Sequence, residues 1–410
     1  MTPLQASPYS PAITELENNL SVVLDQLLSG GIGSGGTIGI GIAIDKIKIK
    51  ERLRWDPALD MILGVCREHV GKYVLDFHSI AQAEALYDAL QSGEVHLASE
   101  ATVIALYCLS SHPKLYAARP FVTSGTCKTE DAIAHEKLLH LVLGAVKNKV
   151  KGSGLRVYFM SSDGESRCHQ SFISMFLRGY LSSSDPLYKL LNRLLLFNLA
   201  CGDDGMTPDF DWKHVLKQFR NVLLRLLRIT LNNVTITIPI LQQHLERDGM
   251  SSLISHSLLV PNDQQDVTLM LRLLNSIGNL SFPDNSFSPS LRATCLMLWL
   301  LGHLYHALLE AYLDIELRLK ERLMRLSIVS HLVLALYSSD RGDFAPVQLY
   351  FDVQSMVKNI YFSVGKTKLD NPNADFHVIL MGTDGLEKVF GMIRTMVGSD
   401  TNPDQLQLTN

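Results

Sequence analysis

Hydrophobic positions follow two rhythms along this chain. Thr37 to Ile49 is alternating and β-branched, which predicts a long strand. Met61 to Cys66, after a turn at Asp56-Pro57, predicts a second, and Ala101 to Leu109 a third. Leu155 to Met160 and Phe376 to Leu380 are shorter apolar runs read as strands. Between them the period lengthens to that of a helix. Ile13, Leu16, Leu20, Val23, Leu24 and Leu27 mark a helix over 13–28, and a Gly-rich link follows at 29–36. Ala132, Leu138, Leu139, Val142, Leu143 and Val146 mark another over 129–149. Further helices are predicted at 166–180, 186–196, 211–229 and Gly385 to Val397. From 235 to 365 long Leu-rich helical stretches take over, among them 287–337. The expected division is an N-terminal helix and linker (1–36), an α/β core (37–234), an all-helical insertion (235–365) and a closing segment of the core (366–410).

Composition suits packed domains: 47% of the 410 residues are hydrophobic and 19% charged, too apolar for a disordered chain. The net charge of −4 argues against a protein that coats DNA with its whole surface, but a local basic groove stays open. Cys66, Cys108, Cys127, Cys168, Cys201 and Cys295 form no CxxC pair and are expected to be reduced thiols. Cys66 and His69 are three apart, like half of a zinc site, yet no second half lies at finger spacing, so zinc is not expected. No signal peptide is visible. The apolar run at Cys295 to Leu301 is broken by Gly302 and His303, short of the ~20 residues of a membrane span. No membrane role is expected, and the sequons at Asn233 and Asn279 read as accidental.

Two nucleotide motifs fail on context. Gly31-Ile32-Gly33-Ser34-Gly35-Gly36 precedes a strand instead of following one, so a linker is the better reading. Val364-Gly365-Lys366-Thr367 resembles the end of a P-loop, but Ile360 stands where the leading glycine belongs, and a helical pattern precedes it.

Four segments carry candidate chemistry, each with a plainer reading beside it. Asp45 ends an apolar strand run, where a charge is costly unless solvated, paired or metal-bound. Lys46, Lys48, Lys50, Arg52 and Arg54 then alternate, placing five cations on one strand face; the plain reading is an edge strand blunted by lysines. In Ser161-Ser162-Asp163-Gly164 a strand ends in an acid before a helix, which also fits a helix N-cap. Asp211 begins a helix on which Lys213, Lys217 and Arg220 fall on one face, either a solvated stripe or a set of phosphate contacts. Asp384 and Glu387 sit in a first helical turn, and Arg394 shares the face of Glu387; a capping box is the alternative.

Together the Asp45 strand with Arg54-Trp55-Asp56, the Ser162-Asp163-Gly164 turn, the Asp211-Trp212-Lys213-His214 helix with Arg220-Asn221, and the block Thr383-Asp384-Gly385-Leu386-Glu387-Lys388-Val389-Phe390-Gly391-Met392-Ile393-Arg394 resemble the P-element-like and THAP-associated transposases. The order of strands and helices also fits an RNase H-like core interrupted late by a helical insertion. The resemblance implies a DDE-type DNA transposase, or an inactive protein derived from one that binds DNA or partners. It implies Asp45, Asp163 and Glu387 as catalytic, metal-binding carboxylates for Mg²⁺ or Mn²⁺. It also implies DNA as substrate, a homo-oligomer and a nuclear location. Lys48, Lys50, Lys213, Lys217 and Arg220 are the expected phosphate contacts. Asp384 matches a position near the guanine nucleotide of the P-element branch. Two departures stand out. Lys46 replaces the acid that often follows the first Asp, and the zinc-coordinating THAP domain is absent. Little room is expected at either end for a separate DNA-binding domain.

Overall fold

The computed structural model describes residues 4–29, 36–225, 229–261, 263, 266–283, 287–396 and 402–409. The chain divides into two compact units, Met1–Asp209 with Phe362–Asn410, and Phe210–Tyr361.

The first unit is built on a mixed five-stranded sheet. Its strands are β1 (Ile38–Lys48), β2 (Glu100–Cys108), β3 (Arg119–Thr126), β4 (Leu155–Ser162) and β5 (Thr207–Phe210), in spatial order β3-β2-β1-β4-β5. β2 pairs antiparallel with β1 and with β3, while β4 runs parallel to β1. The central strand is buried on both faces, with Ile40, Ile42, Ala43 and Ile44 all excluded from water. That explains why its sequence is nearly continuous in apolar residues. Helix α1 (Ile13–Ser29) packs on β3 and on α2 (Ala132–Val150), and α2 packs on β4 and on α3 (Ser166–Phe176). Asp131 caps α2, its side chain accepting from the Ala134 amide, a standard way to satisfy an orphan N–H.

Several expectations need correction. Met61–Leu63 does form a strand, but it pairs with Arg54–Asp56 in a separate two-stranded hairpin and not in the main sheet. The strands β3 and β5 were not anticipated. β3 reads Arg-Pro-Phe-Val-Thr-Ser-Gly-Thr and β5 reads Thr-Pro-Asp-Phe; both lie at sheet edges, where Pro is tolerated. The run Phe376–Leu380 is no strand: Val378–Leu380 is a 3₁₀ turn and Ile379 is exposed. The Gly-rich motif at 31–36 lies outside the described residues save for Gly36. The P-loop-like tetrapeptide at 364–367 lies inside a helix, so its backbone amides are spent within the helix and cannot cradle a phosphate.

The second unit is helical, as its Leu-rich periodicity predicts. It contains α4 (Trp212–Leu224), α5 (Val267–Gly278), α6 (Pro289–Leu313) and α7 (Leu319–Asp340), and α8 (Val347–Asp370) begins in it and continues into the first unit. α5 packs on α4 and α6, and α6 on α7. Trp212 stacks on Tyr312 at 5.0 Å and Phe219 meets Tyr305 edge-on at 5.5 Å. Among the described residues α6 alone is long and apolar enough to cross a membrane, yet its Leu298, Leu301, Leu304, Tyr305 and Leu308 are wholly buried within the protein. A single two-stranded hairpin, Ile229–Leu231 with Val234–Ile236, is the strand content among the described residues of this unit.

Candidate active site

The site is read most directly from strand register. Asp45 lies on β1, which is the central strand, so the edge-strand reading of this segment fails. The β1–β4 ladder runs through Gly41 opposite Phe159, Ile42 opposite Met160 and Ala43 opposite Ser161. The ladder ends there, two residues short of Asp45 and of Asp163, the residue after the end of β4; the same register continued would bring those two level. Neighbouring strands lie ~4.8 Å apart, which would make two acids more than a hundred residues apart in sequence lateral neighbours. Because side chains alternate, Gly41, Ala43, Asp45, Phe159 and Ser161 share one sheet face.

The third acid, Glu387, lies on a helix packed against the same strand β1: it sits in the first turn of α9 (Asp384–Met396). The loop before α9 is fixed at Gly382, whose φ of 92° suits glycine. Its carbonyl accepts from Tyr107 Oη at 2.9 Å and Ser161 Oγ at 3.0 Å. Its amide donates to Asp209 Oδ2 at 2.9 Å. Three strands, β2, β4 and β5, thus hold one residue of this loop. Gly41 makes that possible: a Cβ there would lie 2.7 Å from both the Tyr107 and the Phe159 ring, and those rings meet edge-on at 6.0 Å. Asp209 is wholly buried. It is a positioning residue that the sequence reading missed, because its strand, Thr-Pro-Asp-Phe, carries no apolar run to mark it.

The plainer readings can be judged residue by residue. Asp163 does not cap α3; Glu165 occupies that position, and Asp163 Oδ1 accepts from the Glu165 amide at 3.2 Å. Glu165 is held by Lys46 and Arg167. Burial would raise its carboxyl, but these two cations keep it below the usual range. Lys46, placed where the resembling family often has an acid, thereby neutralises the acid two residues beyond Asp163. Asp45 Oδ1 accepts from the Lys46 amide at 2.7 Å. Asp384 is no cap for α9, because the Leu386 and Glu387 amides donate to the Thr383 carbonyl at 2.8 and 3.1 Å. Asp384, the position matched to a nucleotide, pairs with Lys388 at 2.8 Å in its own helix. Asp211 does cap α4, accepting from the Lys213 and His214 amides.

The basic residues regroup. β1 ends at Lys48, so the five-cation stripe is not one strand face. Lys48 is exposed and Lys50 half-buried; Arg52 and Arg54 both bind the buried Asp404. On α4, Lys213 and Lys217 are half-buried, but Arg220 is only 2% exposed. It donates to the Asp266 carbonyl at 3.4 Å and Asn221 Oδ1 at 3.3 Å. Packing against the segment before α5 removes it from the expected surface stripe, so it is not available to a phosphate.

Among the described residues the one group of three or more His, Cys, Asp or Glu side chains with ligand atoms within 4.8 Å of one another is Cys66, His69, His96 and Cys127.

No family model matches the sequence, and no curated protein does. The fold is similar to that of a solved structure, the Drosophila P element transposase strand transfer complex, with a TM-score of 0.58 and 14% identity, covering 97% of this chain and 83% of that one. The chain therefore shares the fold of that structure, with an RNase H-like core and a helical insertion.

Proposed function

We propose that this chain is the core of a DDE-type DNA transposase acting through Asp45, Asp163 and Glu387. The observation that supports the reading is the β1–β4 register, which runs to Ala43 opposite Ser161, two residues short of Asp45 and Asp163, together with the packing of α9, which bears Glu387, on β1. A polypeptide has no packing reason to bring an acid of its central strand, an acid at the end of the neighbouring strand and an acid of a helix packed on that sheet toward one another. Their oxygens are the hard donors that Mg²⁺ or Mn²⁺ prefers. Bound there, the cations would neutralise charge at a phosphodiester and activate the attacking hydroxyl. Asp45 lies on β1, Asp163 follows β4, and the loop held at Gly382 leads into the helix that bears Glu387. In the proposed reaction, water first cleaves a phosphodiester and frees a 3′-hydroxyl. That hydroxyl then attacks target DNA, exchanging one P–O bond for another. The Drosophila complex supports DNA as the substrate class.

The purified chain is expected to cleave or join branched and linear duplex DNA only with Mg²⁺ or Mn²⁺, and EDTA should stop it. DNA binding without cleavage under any divalent cation would replace this reading with that of an inactive DNA-binding relative.

Lys48, Lys50, Lys213 and Lys217 are the proposed phosphate contacts. The double variant Lys213→Ala/Lys217→Ala is expected to reduce the slope of log affinity against log salt by about two, with unchanged circular dichroism. An unchanged slope would make the α4 lysines ordinary surface.

A further inference from the structure

Cys66, His69, His96 and Cys127 come from three separated stretches of sequence, yet their Sγ and ring-nitrogen atoms all lie within 4.8 Å of one another. Cys66 Sγ is 2.9 Å and Cys127 Sγ 3.5 Å from His69 Nδ1, and the two histidine rings are 4.1 Å apart between centroids. The geometry points to a structural zinc site, Cys₂His₂, in the catalytic unit. A tetrahedral Zn²⁺ with bonds of ~2.3 Å to sulfur and ~2.05 Å to nitrogen sets its ligands roughly 3.3–3.8 Å apart. The observed separations are close to that, and all four ligands are supplied by protein, as a closed structural site requires.

The backbone builds the cradle before any ion arrives. The Cys66 amide donates to the His96 carbonyl at 2.9 Å, and the Arg67 amide to the Gly125 carbonyl at 3.0 Å. The Ala98 amide donates to Gly64 and the Ser99 amide to Thr126. The segments 64–69, 96–99 and 125–127 are therefore already fastened together. Glu68 steadies the third, accepting from Thr126 Oγ1 and from the Cys127 amide at 3.4 Å, an outer interaction typical of metal sites. Cys66 is buried, and the other three are partly covered. On binding, the two thiols release their protons to solvent, and two thiolates with two neutral imidazoles balance the charge of Zn²⁺.

The position gives the ion a task. Residues 54–99 fold as a small lobe around Ile62, Val65, Val70, Leu75, Leu86, Ala89 and Val95. This core is modest for independent stability. Cys127 follows directly on β3, the edge strand of the main sheet. Zinc would staple the lobe to that edge, beside the buried pair of Arg67 and Glu130 at 2.7 Å.

The test is metal content of the full chain, purified without chelator and measured by plasma mass spectrometry, together with cobalt substitution. One zinc per chain is expected. Co²⁺ added after chelation should give the thiolate charge-transfer band and the intense visible bands of a tetrahedral S₂N₂ site. Cys127→Ser should lose the charge-transfer intensity of one thiolate and bind zinc at least ~10-fold more weakly, and His96→Ala should show similar weakening. Because either variant could also unfold, the same cobalt titration on Cys201→Ser, which alters a buried thiol elsewhere, should match the wild-type spectrum. Less than a tenth of a zinc per chain with no cobalt charge-transfer band, a Cys66–Cys127 disulfide, or zinc retained in full by the Cys127→Ser/His96→Ala double variant would each overturn the proposal. None of these outcomes depends on DNA cleavage.

Discussion

Asp45→Asn is expected to lower metal-dependent DNA cleavage by ~10³-fold, since removing a ligand to an activating cation forfeits several kcal/mol of transition-state stabilisation and each ~1.4 kcal/mol is tenfold. The change is nearly isosteric. Asn keeps the side-chain oxygen that accepts from the Lys46 amide at 2.7 Å, so the fold has no reason to yield. Two readouts separate a lost ligand from a damaged protein. First, Mn²⁺ or Mg²⁺ should raise the melting temperature of the wild-type chain, because an ion that binds only the folded state stabilises it. In Asp45→Asn that rise should largely vanish. Second, without metal the variant should be as stable as the wild type or slightly more so, since one charge has left a group of like charges. Glu387→Gln should behave in the same way. Cleavage or metal-induced stabilisation persisting in both variants would remove these carboxylates from the reaction.

Long, regular elements were legible in the sequence. β1, β2, β4, α1, α2 and α9 carry strong periodicity, and each lies within a few residues of its expected span. What was not legible depended on partners far away in sequence. β3 contains Pro120, Ser124 and Gly125, poor strand signals that are overridden because β2 supplies its hydrogen bonds. Phe376–Leu380 fails in the opposite way, being apolar with no strand to pair with. Arg220 has the spacing of a surface cation, but packing within its own unit turns that spacing inward. The acids at 45, 163 and 387 could be picked out as unusual, each at the end of an apolar run or in the first turn of a helix. How Asp45 stands relative to Asp163 depends on the register of β1 with β4, which no local pattern specifies. The cysteine–histidine cluster was half visible in Cys66 and His69. Its other half comes from two loops, one of them leaving the edge strand β3, at spacings that no local motif specifies.

Lys366 was singled out as part of a false P-loop, and its actual setting predicts a stability effect. It is 1% exposed within α8, with Nζ donating to the Tyr158 carbonyl at 2.8 Å. Burial, and then the nearby Arg156, push its ammonium down from 10.5 to about 7. Asp370 would oppose this, but its carboxylate is engaged by Arg156 at 3.0 Å and by Tyr158 Oη at 2.9 Å. Below about pH 7 the lysine is charged in both the folded and unfolded chain, so the full burial cost is present. Between about 7 and 10.5 the unfolded chain binds a proton that the folded one does not, and stability climbs with pH by up to ~1.4 kcal/mol per unit. Lys366→Met keeps the length and apolar stem while removing the charge. It loses one hydrogen bond, worth ~1 kcal/mol, and is expected to stabilise the chain by ~2–3 kcal/mol at about pH 6. The gain should disappear by about pH 10, where the wild-type lysine is neutral in the folded state and the remaining cost of shedding its proton on folding has fallen to about that of the lost hydrogen bond. Urea unfolding of both proteins across this range measures the difference. A variant less stable than wild type at every pH would mean that Asp370 and Asp204 hold Lys366 charged, and that α8 is anchored to β4 by an ion pair and not by a neutral amine.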